Sequence, residues 1–161
     1  MSEALNVYLH DHLAGAGFAI DLLEFMSEKY SGKALGDFTA GLVVEIKQDR
    51  DTLRGLAERV GSGGASMKEV ASWISEKVSR IKLGHDGNDG LGRFEALEFL
   101  VLGIQGKCLL WRALERVSPN DSRLSGMDFV ALAERAQDQR DRVEQWRLDA
   151  GVQALQPRAK T

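Results

Sequence analysis

The sequence predicts an all-α protein, a bundle of four long helices, and three observations carry that prediction. Proline occurs only at Pro119 and Pro157, so nothing breaks a helix over the first two thirds of the chain. Alternating runs of β-branched residues, the mark of a half-buried strand, are missing. The stretch from Phe94 to Leu114 has, after Glu95 and Glu98, no charged residue until Lys107. A helix this apolar is covered on most of its circumference. At about 1.5 Å per residue it spans about 30 Å, and the charges at both ends and the glycines inside argue against a membrane span.

Taken in order, the first helix is expected from about Ala4 to Tyr30. Leu5, Leu9, His12, Ala16, Ala19, Leu23, Met26 and Tyr30 recur there at three- and four-residue steps. Its small residues, Ala14 to Gly17 and Ala19, cost helix propensity but allow a neighbour to approach closely. Ser31-Gly32-Lys33 is a short break, and a short break between long helices makes them antiparallel neighbours. The second helix, about Leu35 to Val60, has Leu35, Phe38, Leu42, Glu45, Asp49, Thr52 and Leu56 along one stripe, with Ile46 and Leu53 beside it. Gly61-Ser62-Gly63-Gly64 ends it.

Ser66-x-x-Glu69 is a capping-box pattern, and Val70, Trp73, Ile74, Val78 and Ile81 follow at helical spacing. A shorter amphipathic helix is expected from about Met67 to Leu83. The segment Gly84 to Gly90 is turn-rich; its Asp86, Asn88 and Asp89 do not follow the calcium-loop spacing, and a plain loop is the better reading. The central helix, about 91–116, presents Phe94, Leu97, Val101, Ile104, Cys108 and Trp111 on one seam and Leu91, Glu98, Leu102, Gln105 and Leu109 on an adjoining one. The last helix, about Met127 to Leu155, keeps Phe129, Leu132, Ala136, Gln139, Val143, Trp146 and Ala150 in step, and 156–161 is a frayed tail. The second connection, about 30 residues holding a helix about 25 Å long, is long enough to bring the third long helix in parallel to the second. The expected architecture is a single domain over 1–161, two antiparallel hairpins joined by one long crossover with an extra short helix.

Composition narrows the function. A chain of 161 residues with 43% hydrophobic and 28% charged residues supports one core. A net charge of −3 gives no basic face for nucleic acid, and no partner of that kind, nor a membrane, is expected. The amino terminus lacks a basic region followed by an apolar run, so the cytoplasm is the expected location. Cys108 falls on an apolar seam and reads as a buried structural thiol. No Ser/His/Asp or Cys/His arrangement appears, no glycine loop follows a strand to cradle phosphate, and no catalytic residue is assigned.

Helix lengths and this connectivity resemble the ferritin-like superfamily, and its small bacterial bundle proteins rather than ferritin itself. The resemblance covers nearly the whole chain. It implies four inward Glu residues, two of them in Glu-x-x-His, around a di-metal centre. Here Glu45-Ile46-Lys47-Gln48 and Glu134-Arg135-Ala136-Gln137 have Gln where that motif has His, and the phase of the last helix turns Glu134 outward. His10 and His12 lie about 200° apart on one helix and cannot serve one ion together. The metal candidates are therefore His12, Glu45, Asp49, Glu98 and Gln105, a set that suits iron or manganese. The competing reading is a polar layer in which Glu45 and Glu98 turn to solvent or pair with Lys107, Arg140 or His12. Three functions follow from this: a non-catalytic bundle without a cofactor, acting as a homodimer or on another protein; a metal-binding oxidoreductase or iron-handling protein; and a binder of a small apolar ligand, held between the glycine-rich first helix and Gly103-x-x-Gly106, a glycine pair that more often serves close helix packing. The first is favoured because the His pair is missing.

Overall fold

The computed structural model describes residues 3–61, 76, 79 and 89–157. Four long helices are found among them: α1 (Glu3–Lys29), α2 (Ala34–Val60), α3 (Asp89–Val117) and α4 (Phe129–Leu155). No strand occurs among the described residues, and no helix there is long and apolar enough to cross a membrane. The expected helix over Met67 to Leu83 falls outside the described residues apart from Glu76 and Ser79, which are helical. Of the loop expected over Gly84 to Gly90, only Asp89 and Gly90 are described, and they already belong to α3. Of the tail, Gln156 and Pro157 are described and both are exposed.

Each terminus has a local cause. Between α1 and α2 the chain reverses at Gly32, whose φ of 78° lies in the left-handed region that glycine takes without a Cβ penalty. The turn is tight enough that a Cβ at Gly36 would stand 2.2 Å from the Tyr30 carbonyl oxygen. Val117 hands over to a 3-10 turn, Ser118–Asn120, with Pro119 near its start, and a second 3-10 turn spans Ser122–Leu124. Asp128 opens α4 by accepting the Ala131 N–H at 2.9 Å, which satisfies one of the donors a helix start leaves unpaired.

Side-chain pairing fixes the direction of each helix. Phe38 packs on Trp146 with ring centroids 5.5 Å apart, Glu45 meets Arg142 and Asp49 meets Arg135, so α2 and α4 are antiparallel. Glu98 meets Arg147, Lys107 meets Gln139 and Trp111 packs on Phe129 at 6.2 Å, so α3 and α4 are antiparallel too. It follows that α2 and α3 run parallel. The α1/α2 and α3/α4 pairs pack along their lengths, whereas α1 and α3 approach each other at few positions. Arg59 donates to the Ser125 carbonyl at 3.1 Å, tying the end of α2 to the turn before α4.

The core follows the expected stripes on α2 and α4 and departs from them on α3. Leu97, Val101, Ile104, Cys108 and Trp111 are buried as expected. The adjoining buried seam is Ala96, Leu100, Leu110 and Leu114, while Leu102 and Leu109 stand 66% and 55% exposed. Leucines flank the first seam on both sides, so hydropathy alone gives the two flanks equal weight; the packed neighbour decides between them. The central helix is consequently not covered all round.

Candidate functional site

Midway along the bundle, two polar groups that hydropathy places on the α2 stripe meet one on the α4 stripe. Asp49 is 5% exposed and Gln139 is fully buried, so each must find partners inside the protein. Both oxygens of Asp49 are occupied. Its Oδ1 accepts from Arg135 Nε at 2.8 Å, and its Oδ2 accepts from Lys107 Nζ at 2.5 Å and from Gln139 Nε2 at 3.0 Å. Gln139 also donates to Glu45 Oε2 at 3.1 Å, and its own carbonyl oxygen accepts from Lys107. Glu45 is gripped by Arg142 through two parallel hydrogen bonds of 3.1 and 2.7 Å, the fork-on-carboxylate geometry that strengthens an ion pair. Arg135 reaches on to Gln48 at 2.8 Å, so the Gln that replaces the motif's His serves the same layer.

These contacts set the protonation states. Burial acts to raise the Glu45 carboxyl, but the Arg142 guanidinium and the Gln139 amide outweigh it and hold it below its ordinary value. Burial lowers the Lys107 ammonium, with the Asp49 carboxylate pulling the other way. Burial likewise raises the Cys108 thiol and lowers the His12 imidazole. His12 is therefore neutral at pH 7. It packs edge-on against Tyr8 with centroids 4.7 Å apart and has no hydrogen-bond partner among the described residues.

Asp49 and Lys107 also border a cavity of about 310 Å³ that lies between α1, α2 and α3 and is open on one side. From α1 it takes His12, Gly15, Ala16 and Ala19, one face of the helix at three- and four-residue steps. From α2 and α3 it takes an apolar wall that includes Ile46, Leu53, Phe99, Ile104 and Trp111. Its polar groups are His12, Asp49, Arg50 and Lys107, and the exposed Leu102 and Gly103 lie on its rim. The small residues do not draw the helices together. Among the described residues, a Cβ at Gly15, Gly17, Gly103 or Gly106 would meet nothing within 4 Å. Repeated glycine on a helix face permits either close packing or a recess, and in this bundle it leaves a recess.

Of the five candidates drawn from the sequence, Glu45 and Asp49 share the polar layer through Gln139, and His12 and Asp49 share the cavity. Glu98 sits further along α3 and pairs with Arg147 at 3.0 Å. Gln105 is half-buried and joins neither group. The carboxylates at the layer are thus neutralised by guanidinium and ammonium groups, and no three His, Cys, Asp or Glu side chains gather to hold a metal among the described residues. Glu45 and Glu98 take none of the partners expected for them, Lys107, Arg140 and His12: Glu45 pairs with Arg142, Glu98 pairs with Arg147, and Lys107 serves Asp49. Arg135 and Arg142 were legible only as part of a charged face. Gln139 had a clear signal, a long polar side chain in phase with Phe129, Ala136 and Val143. Glu134 is exposed, as its phase predicts. No protein-family model, curated protein or solved structure matches this chain.

Proposed function

We propose that this chain is a non-catalytic bundle of ferritin-like connectivity, cytoplasmic, that binds rather than transforms: it holds a small, mainly apolar molecule between α1, α2 and α3. The observation that carries this reading is the recess itself. Cores close to a packing density near that of organic crystals, and voids much larger than a water are few. A volume of about 310 Å³ falls at the lower end of the range for ligand pockets. Its walls are apolar with a few convergent polar groups, the composition ligand pockets favour. Among the described residues that line it, no nucleophile, base and orienting group are arranged together, which supports binding over catalysis. Dimerisation or capture of another protein would use the exposed Leu102 and Leu109 beside the rim.

The experiment is titration with the neutral fluorescent probe N-phenyl-1-naphthylamine, read as probe emission and as quenching of Trp111, which lines the cavity. Saturable one-to-one binding that is lost in Ala16→Leu, with the helical circular dichroism unchanged, supports the reading. Absence of saturable binding in the parent overturns it.

A second reading keeps a mononuclear iron or manganese ion, because His12 and Asp49 face one space. It requires Asp49 to release Lys107. Elemental analysis of chelator-free protein from metal-supplemented cells, beside His12→Ala and Asp49→Asn, decides it: near-stoichiometric metal lost in both variants supports an ion, and metal far below one per chain in the parent rejects it.

A further inference from the structure

We infer that the molecule held in the α1/α2/α3 cavity is a small amphiphile with a carboxylate head, a refinement that rests on the binding function proposed above. The argument is a count of donors and acceptors at the polar end. Among the described residues that line it, Asp49 is the cavity's one carboxylate, and both its oxygens are already occupied by Arg135, Lys107 and Gln139. It has little left to offer a ligand donor. The other polar groups there are donors with capacity to spare. The Lys107 ammonium has three N–H groups and spends two, on Asp49 and Gln139. The Arg50 guanidinium has five and commits Nε and one Nη2 hydrogen to Asp51. His12 commits neither ring nitrogen among the described residues.

A site rich in unspent donors and with its acceptor occupied rejects an amine or ammonium head and suits one that only accepts. Between neutral and anionic acceptors, charge decides. Lys107 is a largely buried cation against an apolar wall, where interaction with an anion is stronger than in water. Arg50 is already paired with the exposed Asp51 and adds donors more than charge. Asp49 answers Lys107, but it answers Arg135 as well, so one carboxylate serves two cations. The body of the ligand follows from volume. A dry cavity of about 150 Å³ admits benzene, so the space here takes an apolar body about twice that size.

The test is competition of decanoate and 1-decanol, equal in chain length and different in head, against N-phenyl-1-naphthylamine at pH 7.5. The inference expects decanoate to displace the probe at a concentration at least tenfold lower than decanol. Lys107→Met should remove that difference while probe and decanol still bind. Because Lys107 also serves the interior layer, Arg50→Gln/His12→Gln is measured in parallel and should shrink the preference without touching that layer. Equal displacement by the two compounds in the parent overturns the carboxylate head and leaves the binding function standing; failure of the probe itself to bind overturns the function beneath it.

Discussion

Two regions at the same level of the bundle are built from similar residues and end in opposite states. On the α2/α4 side, Glu45, Asp49, Gln139, Arg135 and Arg142 satisfy one another almost completely. On the α1/α3 side, His12, Arg50 and Lys107 face a recess with donors in reserve. Polarity inside a bundle is thus not one signal. Where the acids and the cations come from facing helices the layer closes; where the facing helix offers His12 beside the small Gly15, Ala16 and Ala19 it stays open.

The contrast breaks most sharply at Asp49, which with Lys107 belongs to both regions. Asp49→Ala removes the partner of both Lys107 and Arg135, and loss of one side of a buried pair costs about 3 to 5 kcal/mol. Urea denaturation of the variant should show that loss. Packed and open glycines give the next largest difference. A Cβ at Gly151 would stand 2.9 Å from the Phe94 ring, so Gly151→Ala should destabilise by about 1 to 3 kcal/mol. Gly103 sits inside a helix with no described atom near its Cβ position, so Gly103→Ala should stabilise by about 0.5 to 1 kcal/mol. Opposite shifts in melting temperature would confirm the pair, and a loss at Gly103 would show that the recess is closed.

A smaller effect separates the two sides by pH. His12, on the open side, and Glu45, on the closed side, are both held below their ordinary values of 6.5 and 4.5. In each case the unfolded chain takes up its proton first as pH falls, so stability declines with acidification. The decline begins near pH 6.5 through His12 and gains a second step below pH 4.5 through Glu45. In His12→Gln the upper step should vanish and the lower should persist, read as melting temperature against pH. The smallest effect is at Cys108: fully buried and raised in pKa, its thiol should react with a thiol reagent only as fast as the core opens, and equally slowly in Asp51→Ala, which leaves the core untouched.

The helices were readable because apolar residues at three- and four-residue steps and clear stop signals such as Gly32 and Gly61 are local. Their ends fell within about two residues of expectation, which is the ordinary uncertainty of a helix terminus. The burial of Asp49 and Gln139 was readable for the same reason, since both lie in phase with buried neighbours. What the sequence did not give up was relational. Leu102 and Leu100 are equally apolar, and only the position of the neighbouring helix leaves one exposed and buries the other. The partners of Glu45 lie 94 and 97 residues away on α4, beyond any local pattern. The glycines on α1 and α3 carried two meanings, and distance between helices chose one.

The parallel run of α2 and α3 has a consequence for assembly. Each hairpin joins helices that are neighbours in sequence, so each can form with little loop-closure cost, and the two halves dock afterwards. Apolar stripes alone tolerate docking one helical turn out of step, a slide of about 5.4 Å. Such a slide would carry Asp49 away from Lys107, Arg135 and Gln139 and strand their charges in the interior. The polar layer thereby works as a vernier between the two halves, accepting one alignment of the hairpins and penalising its nearest neighbours.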